Sequence, residues 1–252
     1  MLLLAWGVCF SQVPAGSTRI VAAYPPAESA AAWRALAAGY VRKAIADHTL
    51  NRDPVLNARV DRVMAAVGVA AAAIDPRFAA SAWKAILIED FGHGAVAFPG
   101  QIVLIDANFV RKLTLNDDEL ALIMCHEVAH ILAGHASAKL SFMAEFLGKD
   151  KLPTARAALL EYLARDAYAE AFRARALMQE READRIGAAI LFVTGYDPQR
   201  ALGLFDKLAQ LEARAQAPVL DSHDTAAVRK QAVASVIAEL RRRESAREPE
   251  RR

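Results

Sequence analysis

Three residues in the stretch ALIMCHEVAHILAGH, Ala121 to His135, could do chemistry that their neighbours cannot. His126, Glu127 and His130 are polar and ionisable, and almost everything around them is apolar. At about 100° per residue on a helix, His130 falls roughly 40° and Glu127 roughly 100° from His126, so the three share one arc. Leu120, Leu122, Ile123, Met124, Val128, Ile131 and Leu132 surround that arc, the pattern of a central, buried helix. Polar groups left unpaired there cost about 1–3 kcal/mol each. A Zn2+ ion held by two imidazoles one turn apart satisfies them. The spacing HExxH lets two ring nitrogens reach one metal at about 2.0–2.1 Å, and the Glu reaches past the metal to accept a proton from water.

Two imidazoles leave such a site incomplete, because catalytic zinc usually has three protein ligands. The stretch QEREADRIG supplies carboxylates on a second helical segment. Glu180 and Asp184 are four apart and share a face, whereas Glu182 lies about 200° from Glu180. One carboxylate of an i, i+4 pair can bind metal while the other receives the N–H of a ligand His and sets its tautomer. Glu182 has Ile186 at the corresponding place, so Glu180 is the expected third ligand and Asp184 its partner. Taken alone, EREADR fits a solvated salt-bridge face better.

Elements must hold these side chains. LTLNDDELA offers Asn116 as an N-cap with Glu119 three residues on, the signature of a capping box at the start of the HExxH helix. Upstream, residues 29–67 read as helical with a break near Asn51–Pro54. From Trp83 the period changes: WKAILIED, GAVAF and QIVLID read as three short strands, punctuated by Gly92, Gly94, Pro99 and Gly100. A long helical tract, broken or continuous, covers Ala155–Val193 and stops at Gly195 with Pro198 beyond. Further helices are expected over Pro198–Gln216 and Ala226–Arg242. The class is α+β: a mostly helical domain with a small three-stranded sheet beside the HExxH helix.

The chain has 252 residues, 55% of them hydrophobic, enough for one sizeable core. A formal net charge of +2 leaves no nucleic-acid footprint. Residues 1–15, ending Val13-Pro14-Ala15, are similar to the apolar core and cleavage site of a secretory signal peptide, although no Lys or Arg precedes the apolar run. The expectations are export, to the periplasm, a domain over residues 16–240, and a charged, disordered tail over 241–252. Membrane anchoring through Cys9 is the less favoured alternative, since Val8 stands where a small residue precedes a lipidated cysteine. Cys125, about 100° from His126 on the side away from His130, reads as a small buried hydrophobe.

HEVAHILAGH, then EREADRIG and TGYDPQRA, resembles the gluzincin metallopeptidase family that contains HtpX, BepA and the CAAX prenyl protease. Upstream, GAVAFPGQIVLID is similar to that family's strand-turn-strand. The resemblance runs from about Trp83 to Arg229 and is least distinct between Ser137 and Phe172. It implies that His126, His130 and Glu180 bind one zinc ion per chain, that Glu127 is the general base, and that Asp184 supports a ligand from behind. SHDTAAVRK matches a later family segment and implies a role for His223 at the cleft, either stabilising the oxyanion or occupying the open zinc position. Asp224 replaces a Pro usual there. A freer loop would follow, which favours the oxyanion role. The family's strand Asn is lost near Gly94, and the second Gly of its Pro-Gly-Gly turn is Gln101.

Peptide-bond hydrolysis is the reaction expected from this set. The segment Gly94, Ala95, Val96, Ala97 and Phe98 is the expected place for an extended polypeptide substrate to add as a strand. An exported enzyme of this kind resembles envelope quality-control proteases, and association with a membrane or envelope complex belongs to that picture. The rival reading is a non-catalytic chaperone or peptide-binding protein using the same groove. Nothing in the chain speaks to oligomeric state. His135 extrapolates to about 180° from His126 and reads as structural; His93 reads as a loop residue and His48 has no supporting context.

Overall fold

The computed structural model describes residues 22–78, 83–164, 168–215 and 223–247. The expected signal peptide, Cys9 and the last five residues lie outside them. Ten α-helices and three strands fill the described residues: α1 (Pro26–Ala46), α2 (Pro54–Ile74), β1 (Lys84–Ile88), β2 (Ala95–Phe98), β3 (Ile102–Asp106), α3 (Ala107–Lys112), α4 (Asp117–Leu132), α5 (His135–Leu147), α6 (Ala155–Ala164), α7 (Ala169–Thr194), α8 (Pro198–Ala201), α9 (Gly203–Ala215) and α10 (Ala226–Arg247). The α+β expectation holds. The break after α1 falls where Asp53 caps α2 by accepting from the backbone N–H groups of Val55 and Leu56. One short helix, α3, intervenes between the sheet and α4.

The strand order is β1-β3-β2, with β1 parallel and β2 antiparallel to β3, so the sheet is mixed and β2 is an edge. Side chains on β3 alternate between two cores. Val103 and Ile105 enter the larger one, with α2, α4, α7 and α9, while Leu104 enters a second with α1, α5 and α6. The β2–β3 turn is tight: Gly100 has φ 98° and Gln101 φ 64°. A left-handed backbone costs a non-glycine residue about 1–2 kcal/mol, so the Gly usual at Gln101's place would relieve strain there.

Helix α4 is the central beam. Its capping box is present: Asn116 accepts from Glu119 N at 2.9 Å, and Glu119 accepts from Asn116 N at 2.7 Å. Gly134, with φ 72°, ends the helical path, and α5 leaves at 50° to α4. No single described helix is long and apolar enough to cross a membrane. The expected tail is corrected in part. Residues 241–247 continue α10, where Glu239 pairs with Arg242 and Arg243 one turn on.

Helices α4 and α7 touch backbone to backbone at Gly187. A Cβ there would lie 2.9 Å from His126 N, 3.0 Å from His126 Cα and 3.1 Å from Cys125 C. Gly187→Ala therefore has to part the two helices that carry the imidazoles and the carboxylates. Overpacking of this kind costs about 1–3 kcal/mol. The variant is expected to unfold at lower denaturant and to hold metal less tightly; wild-type values for both would contradict this reading of the contact.

Candidate metal centre

Four side chains from three elements converge at the floor of a cleft of ≈ 570 Å³. His126 and His130 descend from α4. Their Nε2 atoms are 3.1 Å apart, and Glu180 Oε2 on α7 lies 3.1 Å from the first and 3.4 Å from the second. Ligands held tetrahedrally at about 2.0–2.1 Å stand roughly 3.3–3.4 Å from one another, so this triangle has the edges of a metal site. His223, just before α10, sets Nε2 2.5 Å from the same Glu180 oxygen. Donor atoms of His126, Glu180 and His223 all lie within 4.8 Å of one another. Three imidazoles around one buried carboxylate suit a soft-to-borderline divalent cation, so the residues present fit zinc.

The four groups are electrostatically coupled. Burial pushes the Glu180 carboxyl up, but hydrogen bonds from His126, His130 and His223 outweigh it and hold the group far below the usual carboxylate range. Burial disfavours charge on His126, yet hydrogen bonds to Asp184 and Glu180 raise its pKa to about 9. Burial, only partly offset by Glu180, lowers His130 to about 4, so its ring is neutral at pH 7.

Behind His126 the expected partner is in place: Asp184 Oδ1 is 2.9 Å from His126 Nδ1. Arg229, not foreseen from the sequence, clamps that carboxylate with Nε to Oδ2 at 2.9 Å and Nη2 to Oδ1 at 2.8 Å. Burial raises the Asp184 carboxyl, but these bonds from Arg229 and His126 hold it below its ordinary value. A signal for Arg229 existed. It sits on the stripe of Ala226, Val233 and Ile237, all fully buried on α10, and an arginine at such a position needs an anion.

Glu127 stands to one side of the triangle. Its Oε2 accepts from Ala97 N at 2.8 Å, tying the carboxylate to the edge of the sheet. Burial raises its pKa to about 7, with His126 working against that and Glu180 with it. The N–H of Ala97 thus points away from β3. Backbone groups alternate sides along a strand, so Ala95 shares the outward edge while Gly94, Val96 and Phe98 face β3; Gly94 O indeed accepts from Asp106 N at 3.0 Å.

Gly94, Ala95, Val96 and Ala97 line the cleft, but Phe98 does not. The alternation turns its ring inward, 2% exposed, against Trp33 and Tyr40. Phe98 is removed from the expected substrate-pairing segment, because its backbone groups face β3 and its ring is inside. Asp224, where a Pro is usual, receives Arg181 in a two-pronged pair, Nε to Oδ2 at 2.7 Å and Nη2 to Oδ1 at 3.0 Å, which ties the residue after His223 to α7; residues 216–222 lie outside the described residues. His93, read as a loop residue, lies on the cleft wall beside Phe91.

His135 stays outside the donor triangle, as read, but its extrapolated direction fails because the helical path on which its phase was based ends at Gly134. Its Nδ1 comes back to 2.9 Å from His130 Nδ1, and its Nε2 lies 3.3 Å from Glu182 Oε2. Glu182 is likewise not a purely solvated group.

A model of peptidase family M48 matches residues 51–237, well over half of the chain. The chain belongs to this family. It is a metallopeptidase family, and the HExxH helix, α7 and the His223 loop of this M48 domain all fall within the match. No curated protein matches the chain.

Proposed function

We propose that the chain is a zinc-dependent endopeptidase that hydrolyses extended or misfolded polypeptides in envelope protein quality control. The observation that carries this reading is the placement of a metal-fitting donor triangle, a half-buried carboxylate outside it, and an open strand edge in one cleft. Zinc, when bound, supplies Lewis acidity: it acidifies a water and polarises a carbonyl. The protein's part follows from its own groups. The unpaired edge of β2 offers the N–H and C=O of Ala95 and the C=O of Ala97 to an extended backbone, which selects for unfolded chain over side-chain identity. Glu127, held beside the triangle by the N–H of Ala97, accepts a proton from the attacking water and returns it to the leaving amine. Asp184 and Arg229 keep His126 in the tautomer that frees Nε2.

The test is cleavage of unfolded casein by purified protein, with folded proteins as comparison. Cleavage should require zinc, stop with a chelator and return on adding the metal back. Capture of unfolded casein without cleavage, at full zinc loading, would instead support a chaperone that uses the same groove. Export to the periplasm rests on the resemblance of residues 1–15 to a signal peptide; N-terminal sequencing of protein from cells should give a start near Gly16, and an intact cytosolic Met1 would refute it.

His223 adds a level of control. Its Nε2 faces the same oxygen of Glu180 as both α4 imidazoles do, at 2.5 Å, and its loop is tethered through Asp224. This favours a latch that fills the corner a water needs over an oxyanion donor standing off to one side. His223→Ala is then expected to raise basal casein cleavage with zinc retained. A fall of about 10²–10³-fold at unchanged zinc would restore the oxyanion role.

A further inference from the structure

His135 has no part in the hydrolysis described above, yet it is 4% exposed and held at both nitrogens. Nδ1 faces His130 Nδ1 at 2.9 Å, and Nε2 faces Glu182 Oε2 at 3.3 Å. The two rings meet edge to face, with centroids 4.9 Å apart and planes at 74°.

The positions of the protons follow from these contacts. His130 turns Nε2 toward His126 Nε2 and Glu180 Oε2. For that nitrogen to hold a cation it must carry a lone pair, so the His130 proton sits on Nδ1. His135 Nδ1 must then accept, which places the His135 proton on Nε2, opposite a carboxylate that can take it. In the other neutral tautomer of His135, two N–H groups would meet at 2.9 Å with no acceptor between them, and Glu182 would face a bare nitrogen. Only one arrangement satisfies all three groups.

We infer that His135 and Glu182 form a relay that orients the His130 ring and fixes its tautomer, making them positioning residues for the metal centre. This rests on the proposed reading of His126, His130 and Glu180 as zinc ligands. The two α4 imidazoles are thereby supported unequally. At Nδ1, the nitrogen turned away from the centre, His126 reaches a carboxylate directly, at 2.9 Å from Asp184, whereas His130 reaches one there only through a second imidazole. The device depends on the bend at Gly134, which starts α5 where its first residue can turn back on the last turn of α4. Groups behind a metal-binding His typically account for about 10–100-fold in metal affinity.

The experiment measures zinc affinity of the intact chain by competition with a chromophoric chelator, together with the visible spectrum of the Co2+-substituted protein. His135→Phe keeps an aromatic ring in the space but removes the acceptor. It is expected to weaken zinc binding by about 10–100-fold and to alter the cobalt spectrum. His135→Asn places a carbonyl oxygen near the position of Nδ1 and should recover most of the loss. Glu182→Leu, which frees the His135 tautomer, should weaken binding by a smaller factor. Zinc affinity and cobalt spectra in His135→Phe that equal those of wild type overturn the relay. So does an Asn variant as weak as the Phe variant when both fold, since that pattern belongs to packing alone. Should His135→Phe fail to fold, Glu182→Leu decides, with unchanged affinity and spectrum counting against the relay. A wild-type chain that takes up no zinc overturns the metal reading itself, and is distinguished from these outcomes by elemental analysis before any variant is made.

Discussion

Glu127→Gln is expected to cut peptide hydrolysis by about 10²–10⁴-fold, the usual worth of a positioned general base, while zinc stays at wild-type level. The substitution changes no volume. A Gln carbonyl oxygen can still accept from Ala97 N, so the tie between α4 and the strand edge survives. The amide cannot take a proton from water, so the general-base step is lost. Metal should remain because the triangle of His126, His130 and Glu180 does not include Glu127. A neutral amide also sits more easily than a carboxylate in a buried place, so folding is not at risk. Casein cleavage and elemental analysis on one preparation decide. Wild-type turnover would remove Glu127 from the reaction, and loss of zinc would make it a ligand. The same variant, inert but still able to bind, is the natural trap for identifying substrates.

Glu180→Ala is expected to abolish stable zinc binding, from about one ion per chain to almost none after dialysis, because it removes one of three protein ligands. The loss goes beyond one bond. Among the described residues, this carboxylate is the anion whose oxygen meets the Nε2 atoms of all three imidazoles. Glu182→Ala, two residues on, should keep zinc at stoichiometric loading and show only weakened affinity, since its oxygen touches His135 and not the centre. Zinc retained in Glu180→Ala and lost in Glu182→Ala would invert the face of α7 assigned to the metal. Glu180→Gln serves as the control for packing: it preserves shape and should still lose most of the metal.

Much of this centre is legible in the sequence. An apolar helix that carries His, Glu and His on one arc has few stable uses, and the i, i+4 pairing of Glu180 with Asp184 was enough to prefer Glu180 over Glu182. Helix ends were legible too, because caps are local: Asn116 and Glu119 bond each other within one turn. The three strands announced themselves through a period of two. Such signals are carried by residues close in the chain, where spacing alone sets direction.

What lay beyond spacing was decided by the tertiary structure. A helical wheel is valid only while the helix continues, and one left-handed residue, Gly134, reset the phase and brought His135 onto His130. Arg229 and Asp184 are far apart in sequence, and their pairing exists only because α10 packs on α7. Asp224 looked like a lost proline and a looser loop; its partner Arg181 belongs to another helix, so the tether was invisible locally. Phe98 belonged to a strand expected to meet substrate, but which face of that strand turns inward depends on where the second core lies. The sequence by itself determined which groups this protein has for chemistry and on which helices they ride. The packing of α4, α7 and α10 decided how each is oriented, protonated and restrained, because those properties arise from partners that no local period can specify.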